Sequence, residues 1–460
     1  MSERQPARRR ALGAWYTPEP LVARLADWLT DGVGVRADGR PVRVVDPACG
    51  DGRLLSAVAD RLGTAGVTVE AIGCDIDPAA LAAVRDPRIR CVTGDALTLD
   101  WGALGLGDAD LVIGNPPFLS QMASATTRGA ASRRGGGPYA DTAMEFCCLA
   151  VELCRDGGRV ALVLPQSVLA ARDAGPLRAA VERRARPVWW WWEPGRHFDA
   201  QVHVCLAGFE VGRAGCSPAG PDGPLWNRVI SERLGVPELP PFLAAGTVGD
   251  RARAGANFRD EYYALVPAVD DGGTGPPLVT SGLIDPGACR WGTVPVRFAG
   301  RRISRPTVAL GRLEGRFAAW ADRLLVPKVL VAAQTRVIEA VADPRGDWIP
   351  GVPVISVVPD PGVSPAAVAS ALTCPLTSAV AWWERAGTGL SAGALRLSPS
   401  SVLSLPWPAG DLTAAEEALG AGDVIGCGRA ALDAFGVGGA VAEELLDWWS
   451  ALLPTAGRRV

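Results

Sequence analysis

Five short apolar runs in the first 215 residues constrain the fold of this chain more than any other feature. Each run is rich in Val, Ile, Leu and Ala and ends in a polar or glycine-containing turn, as buried strands do. Helix-like segments lie between the first and second runs, between the second and third, and after the fourth. This alternation predicts a parallel sheet with helices on both faces. The runs are VRVVDPAC, VEAIGCDI, IRCVTGD, ADLVIGNPPF and GGRVALVLPQ.

The length of 460 residues favours two domains. A Gly- and Pro-rich segment at 212–225 predicts a boundary between a first domain over 1–215 and an irregular α+β domain over 216–460. The second domain is expected to end in a helical stretch from about Leu412 to Leu453. No apolar run has membrane-spanning length, and the 11 cysteines include no CxxC pair, so we expect a cytoplasmic protein with reduced thiols. With two histidines, no metal site is expected.

Charge is distributed unevenly, although the formal net charge is only −3. Between Arg290 and Arg345 there are eleven basic residues and four acidic ones. Between Asp411 and Asp447 there are eight acidic residues and only Arg429 on the basic side. Since a local field governs contact with a polyanion, the basic stretch is compatible with nucleic acid. A merely patchy, arginine-rich surface is an equally good interpretation.

The ends of the predicted strands carry a regular series of special residues. Gly50 and Gly52 follow the first strand, and Asp75, Asp95 and Asn115 follow at intervals of about 20 residues. Glycines let the backbone approach a ligand, a carboxylate after the second strand can accept ribose hydroxyls, and parallel strands bind ligands at their carboxyl ends. Together the series predicts a site for an adenosine-containing cofactor.

Each member of that series has a simpler interpretation when taken alone. A GxG sequence also makes a tight turn, and an aspartate after a strand also caps a helix. Asp77, directly before Pro78, is assigned mainly to capping. Neither the Walker phosphate-binding pattern nor GxGxxG is present.

These residues resemble the S-adenosylmethionine-dependent amino-methyltransferases, and more closely the gamma-class adenine-N6 DNA methyltransferases of restriction–modification systems. The resemblance covers residues 14–211 and implies a Rossmann-like class I methyltransferase sheet with helices on both faces. It also implies S-adenosyl-L-methionine as cofactor and double-stranded DNA as partner, with residues 216–460 as a target-recognition domain. The matching segments are WYTPEPLVARLADWL, VVDPACGDG, GCDID, NPPF and EPGRHFDAQVHVCLAGF.

The resemblance assigns catalysis to Asn115, Pro116, Pro117, Phe118 and Phe198. It implies that the Asn115 side-chain oxygen and the Pro116 carbonyl accept the two hydrogens of the adenine N6 amine. Two prolines hold the backbone rigid, so the carbonyl needs no reorganisation during the reaction. Phe118 would stack on the flipped base and Phe198 would form a second aromatic wall; for Phe198, a core position is the alternative.

The resemblance also implies a set of cofactor contacts. Thr17-Pro18 resembles the element that closes over the methionine end of the cofactor, although a Thr cap before a helix fits the same residues. The implied contacts are Tyr16, Thr17, Asp46, Ala48, Gly50, Gly52, Asp75, Ile76, Asp95, Ala96, Asn115 and Pro117.

DNA contacts are expected from basic residues at two places. One is the small-residue segment 121–144, which either folds over the DNA or serves as a linker, and the other is the basic stretch of the second domain. The candidates are Arg133, Arg134, Arg301, Arg302, Arg305 and Lys328, the only lysine. For Trp189 to Trp192, alternation along a strand places two rings in the core and two on the opposite face, where an interface with the second domain is expected.

Two other functions remain open at this stage. The same amino-methyl transfer serves protein glutamine amides and RNA guanine amines, and a degenerate relative would bind DNA without catalysis. We expect a monomer without membrane contact. A separately encoded restriction endonuclease is a candidate partner.

Overall fold

The computed structural model describes residues 16–118, 134–137, 140–195, 198, 203–212, 226–389, 391 and 393–454. The chain divides into two compact units, residues 1–233 and 234–460.

The first unit is built on a sheet of seven strands. Their order is β3-β2-β1-β4-β5-β7-β6, in which β7 runs antiparallel to both β5 and β6. All five predicted strands are present as β1 to β5. The strands are β1 (Val42–Asp46), β2 (Val69–Asp75), β3 (Ile89–Thr93), β4 (Ala109–Gly114), β5 (Cys154–Pro165), β6 (Ala185–Trp191) and β7 (Val204–Val211).

Both faces of this sheet are buried. Val44 and Ile113 share one core cluster with apolar residues of α1 and α2, whereas Val45 and Val112 point to the other face and are also fully buried. Burial on both sides explains why these strands are apolar throughout. The helices are α1 (Glu19–Thr30), α2 (Arg53–Thr64), α3 (Pro78–Leu81), α4 (Thr142–Leu153), α5 (Gly175–Glu182) and α6 (Arg228–Arg233).

The four consecutive tryptophans find partners inside the first unit. Trp189 stacks on Trp28 of α1, with ring centroids 5.3 Å apart and planes 11° apart. Trp190 faces the opposite side, 5.3 Å from the ring of Trp226 and 6.0 Å from that of Phe209. The predicted alternation is present, and the rings of Trp189 and Trp190 have aromatic partners on opposite sides of β6.

The division between the units lies 18 residues beyond the predicted boundary at 215. Trp226 packs on Trp190 and Phe209, and its Nε1 donates a hydrogen bond of 2.6 Å to Glu182 Oε1. These contacts hold residues 226–233 to the first unit.

The second unit is centred on a four-stranded antiparallel sheet. Its strands, in spatial order, are Ala340–Asp343, Lys328–Ala332, Val354–Pro359 and Ala252–Ala256. Many short strands surround it, in line with the predicted irregular α+β pattern. They are Ala244–Thr247, Val269–Asp271, Leu278–Val279, Ile284–Asp285, Ala288–Cys289, Val296–Phe298, Arg301–Ile303, Pro306–Val308, Gln334–Thr335, Ile349–Pro350, Leu395–Arg396 and Pro406–Pro408.

Helices complete the second unit, and its last three confirm the predicted helical ending. The helices are Arg259–Leu265, Arg316–Leu324, Pro365–Leu372, Pro375–Arg385, Pro399–Leu403, Thr413–Gly420, Val424–Ala434 and Gly439–Leu452. In the described part of the chain, no single helix is long and apolar enough to cross a membrane. The pair Pro365–Leu372 and Pro375–Arg385 passes that test only when combined, and it is bent by 62°.

Candidate active site

A cavity of about 410 Å³ opens where β1 to β4 end at their carboxyl sides. Its volume lies in the range of about 300–1,000 Å³ that is usual for small-molecule sites. The strand ends meet here because the strands are parallel, as the sequence predicts. The lining residues are Tyr16, Thr17, Pro47, Ala48, Cys49, Gly50, Asp51, Arg53, Leu54, Asp75, Ile76, Asp77, Ala79, Ala80, Gly94, Asp95, Ala96, Leu97, Asn115, Pro117, Thr142 and Phe146.

The glycine turn after β1 has the backbone that only glycine adopts readily. The φ angle is +56° at Gly50 and +78° at Gly52, which also caps α2. Asp75 ties this turn to the end of β2, since its Oδ2 accepts a hydrogen bond of 2.9 Å from the Gly50 amide. Its Oδ1 accepts from the Asp77 amide at 2.8 Å. Asp77 caps α3 by accepting from the Ala79 amide, which confirms its predicted role.

Asp95, Ala96 and Ile76 line the cavity on the side of β2 and β3. Asp95 Oδ1 accepts a hydrogen bond of 3.1 Å from the Leu97 amide, which fixes the turn after β3. Ile76 is 58% exposed, although it is a large apolar residue on the cavity wall. An exposed aliphatic side chain can pack on the face of an aromatic base, and a neighbouring carboxylate can accept hydrogen bonds from its edge.

Asn115 stands at the end of β4 and lines the same cavity. Its Nδ2 donates a hydrogen bond of 3.0 Å to Oγ1 of Thr17, a residue that precedes α1. This bond sets the rotation of the carboxamide, so Oδ1 points away from Thr17. Thr17 does not cap α1: the N-cap is Pro18, and no side chain makes the capping bond.

The two prolines follow directly. Pro116 is buried, and its carbonyl oxygen accepts no hydrogen bond from any residue that the structure describes. Pro117 lines the cavity beside Asn115. A rigid backbone with an available carbonyl next to a fixed carboxamide can accept two hydrogens from one amine.

Phe118 and Phe198 come together, although they are 80 residues apart in the sequence. Their ring centroids are 6.2 Å apart and the planes lie at 86°, an edge-to-face contact. Phe118 is half-buried and Phe198 is 9% exposed. The two rings are in contact, and Phe198 belongs to the core cluster of the first unit, which is the alternative position left open for it, so its role as an aromatic wall stays a prediction.

Asp46 lies behind the cavity rather than on its wall. It is 0% exposed, and its Oδ1 accepts a hydrogen bond of 2.9 Å from the amide of Ala48, which does line the cavity. Its Oδ2 is buried and has no hydrogen-bond partner among the described residues. Burial raises the pKa of Asp46 to about 8, because the charged carboxylate is not solvated there.

Arg53 is a cavity residue that the sequence analysis missed. Its Nη1 donates a hydrogen bond of 3.0 Å to the Thr17 carbonyl, and its guanidinium lies 4.7 Å from the centroid of the Tyr16 ring. Asp51 pairs with the same guanidinium at 2.7 Å. Arg53 thus joins the glycine turn to residues 16–17. Its position directly after Gly50-Asp51-Gly52 was the signal from which the sequence analysis could have predicted this role.

The structure buries one of the predicted DNA contacts, Lys328, and holds another, Arg134, in ion pairs. Lys328 is 0% exposed, and its Nζ forms an ion pair of 2.6 Å with Asp343 inside the central sheet of the second unit, so the predicted phosphate contact is wrong. Arg134 is held by Glu152 at 2.5 Å and Glu145 at 3.2 Å, which bind its guanidinium to α4.

The other candidates for DNA contact remain predictions. Arg301, Arg302 and Arg305 are exposed in the second unit, and Arg133 lies outside the described residues. Among the residues that the structure describes, no group of three or more His, Cys, Asp or Glu is arranged to hold a metal ion.

Known proteins match mainly the first unit. Residues 1–178 match the profile of the N-6 DNA methylase family. The chain is 30% identical over 206 residues to the type II methyltransferase M.TthHB8I of Thermus thermophilus, covering 42% of this chain and 44% of the relative. It is 36% identical over 113 residues to the type II methyltransferase M.XamI of Xanthomonas campestris pv. amaranthicola, covering 23% of this chain and 20% of the relative.

A solved structure with a similar chain trace is the type I restriction–modification methyltransferase subunit from Streptococcus thermophilus. It aligns with a TM-score of 0.36 and 19% identity over 44% of this chain and 46% of that chain. Our chain spans less than half the length of the two curated relatives that it matches.

The first unit has the strand order β3-β2-β1-β4-β5-β7-β6 and a cavity at the carboxyl ends of β1 to β4, which is the Rossmann-like class I methyltransferase sheet that the resemblance implies. The family match over residues 1–178 then confirms the resemblance to the N-6 DNA methylases.

Proposed function

We propose that this chain transfers a methyl group from S-adenosylmethionine to the N6 amine of adenine in double-stranded DNA. The observation that carries the proposal is the bond from Asn115 Nδ2 to Thr17 Oγ1 at 3.0 Å, on the wall of the cavity. It presents a carboxamide oxygen beside the rigid Pro116-Pro117 backbone. The family match and the relatives named as type II methyltransferases support the same activity.

The cavity residues fit the cofactor. The positive-φ turn at Gly50 and Gly52 permits close approach to the backbone. Asp75, at the end of β2, would accept the ribose hydroxyls, and Asp95 the adenine amine. Asp46 lies behind the cavity and would act indirectly, because its Oδ1 accepts a hydrogen bond from the amide of Ala48, which lines the cavity. When bound, S-adenosylmethionine supplies an electrophilic methyl group on its sulfonium.

The protein's part in the chemistry is positioning and electrostatics. An adenine amine is a poor nucleophile because its lone pair is delocalised into the ring. The Asn115 oxygen and the Pro116 carbonyl would each accept one amine hydrogen, which localises the lone pair on nitrogen. Both acceptors are fixed before the reaction, by Thr17 and by the two proline rings, so no reorganisation is needed.

The target base must leave the duplex to reach this position, at a cost of roughly a few kcal/mol. Phe118 would stack on the extruded base and return about 1–3 kcal/mol. Phe198, in edge-to-face contact with it, would close the site from the other side. The second unit would select the DNA sequence. We propose that the chain acts as a monomer, with a separately encoded restriction endonuclease as a candidate partner.

A transfer assay with labelled S-adenosylmethionine tests the proposal. Purified chain is offered plasmid DNA, ribosomal RNA and release-factor protein in parallel reactions. Label in DNA that is lost in Asn115→Ala supports the proposal. Label found only in RNA or protein would show that the methyl acceptor is not DNA. Binding of DNA without any methyl transfer would identify the chain as a catalytically degenerate relative.

A further inference from the structure

A short hairpin in the second unit displays two arginines side by side. Strands Val296–Phe298 and Arg301–Ile303 pair antiparallel, and the register places Arg297 directly opposite Arg302. The alternate residues Val296, Phe298 and Ile303 are buried at 8%, 5% and 1% exposure. Because side chains alternate across a strand, Arg297 and Arg302 share the outer, exposed face.

This pair of charges is not compensated by any carboxylate in the described part of the chain. Like charges directly opposite each other on a hairpin are destabilising. Other arginines of the same stretch are neutralised: Arg290 by Asp285, Arg312 by Asp270, Arg316 by Asp260 and Arg345 by Asp347. Arg297 and Arg302 have no such ion pair, so positive charge concentrates on the hairpin.

Adjacent residues extend this surface without cancelling its charge. The Arg305 guanidinium lies 4.9 Å from the Trp291 ring centroid, and Trp291 Nε1 donates a hydrogen bond of 2.7 Å to the Pro306 carbonyl. A cation held over a ring keeps its full charge and its outward N–H donors. Asp271 accepts hydrogen bonds from the amides of Ser304 and Arg305 and keeps its negative charge, but it forms no ion pair with Arg297 or Arg302.

We infer that the outer face of hairpin 296–303, with Arg297 and Arg302 as its centre, binds the phosphate backbone of double-stranded DNA. The inference rests on the proposed function, which requires a duplex partner. Phosphates relieve the repulsion between the two guanidinium groups, and a two-stranded ribbon is an element that the major groove accommodates.

The test measures the affinity of the full chain for a fluorescent DNA duplex across a salt series. In Arg297→Gln/Arg302→Gln, the Kd at a fixed salt concentration should rise about tenfold, and the slope of log affinity against log salt should fall by about 2. The control Arg253→Gln/Arg345→Gln removes the same charge from side chains of the same unit that are 90% and 83% exposed. Its slope should equal that of the wild type.

Arg297→Lys/Arg302→Lys keeps both charges and should retain the wild-type slope, which separates loss of charge from loss of fold. A double Gln variant with wild-type affinity and slope overturns the inference. A control variant that loses as much affinity and slope as the double Gln variant also overturns it. If the wild type methylates DNA while the Gln variant is unaffected, only the hairpin assignment fails. If the wild type neither binds nor methylates a duplex, the proposed function fails with it.

Discussion

The Thr17 hydroxyl accepts a hydrogen bond of 3.0 Å from Asn115 Nδ2, and the two residues are 98 positions apart in the chain. Thr17 is 3% exposed and precedes α1, whereas Asn115 ends β4. Thr17, which is expected to contact the cofactor, therefore also orients the proposed catalytic carboxamide of Asn115. Arg53 supports it from behind by donating to the Thr17 carbonyl at 3.0 Å.

Removal of this hydroxyl should lower the rate more than the affinity. In Thr17→Val the Asn115 carboxamide can rotate, and misplaced catalytic groups cost on the order of 10²-fold in rate. We expect kcat to fall on that scale while the Kd for S-adenosylmethionine, measured by calorimetry, changes only a few-fold. Thr17→Ser keeps the acceptor and should restore kcat. A Val variant with wild-type kcat would show that Thr17 does not orient Asn115.

Asn115 should be needed much more for transfer than for cofactor binding, although it lines the same cavity. Loss of one fixed acceptor of this kind costs about 10²–10³-fold in kcat. Asn115→Ala should therefore retain S-adenosylmethionine binding while transfer to DNA falls by that factor. A variant that keeps transfer but loses cofactor affinity would contradict the assigned role.

Arg53 should matter for cofactor binding through the segment that it holds. Arg53→Ala removes the bond to the Thr17 carbonyl and the contact with Tyr16, so we expect the Kd for S-adenosylmethionine to rise several-fold. The matched control is Arg61→Ala on the same helix, where the arginine pairs with Asp27 at 2.6 Å. Equal effects of the two changes would argue against a specific role for Arg53.

Asp46 should make stability depend on pH in an unusual direction for an aspartate. Burial raises its pKa from 3.8 to about 8 in the folded protein. The folded state holds a proton that the unfolded chain releases. The contribution of Asp46 to the free energy of unfolding is therefore complete below about pH 4 and is lost as pH rises through about 8. Between about pH 6 and 9 the Tm of the wild type should fall by at least about 2 °C relative to Asp46→Asn. Parallel curves for the two proteins would contradict this.

Lys328 should be needed for folding and not for DNA binding. Its removal leaves Asp343 uncompensated inside the second unit, and breaking a buried pair costs about 3–5 kcal/mol. Lys328→Met should lower the free energy of unfolding accordingly, and Lys328→Met/Asp343→Leu should recover part of the loss. At temperatures where the double variant is folded, its salt slope for DNA should match the wild type. A reduced salt slope of the double variant would indicate that Lys328 does contact DNA.

The sequence predicted the first unit well because its signals are local and repeated. The apolar runs of β1 to β5, the glycine turn and the cap at Asp77 all depend on neighbouring residues, and parallel strands bring their ends together. The antiparallel direction of β7 was not predicted, although the lack of a helix-like segment between β6 and β7 was an available signal, because parallel neighbours need a long crossover. Phe118 and Phe198 were paired only through the resemblance to a family.

Features set by tertiary packing could not be found in this way. Lys328 lies in the apolar run VPKVLVAA, and its partner Asp343 is brought opposite it only by the register of the two strands. The partners of Trp189 and Trp190 lie on α1 and beyond the Gly- and Pro-rich segment, at Trp28 and Trp226. The pairing of Arg297 with Arg302 is likewise a matter of hairpin register, which the sequence alone does not specify.

The most direct test of the central claim is mass spectrometry of nucleosides from duplex DNA incubated with the purified chain and S-adenosylmethionine. The proposed site, with an amine held between the Asn115 oxygen and the Pro116 carbonyl, predicts N6-methyl-2′-deoxyadenosine in the wild-type digest and its absence with Asn115→Ala. A digest with N4-methyl-2′-deoxycytidine as the modified nucleoside, or with N6-methyl-2′-deoxyadenosine at equal levels in both samples, would contradict it.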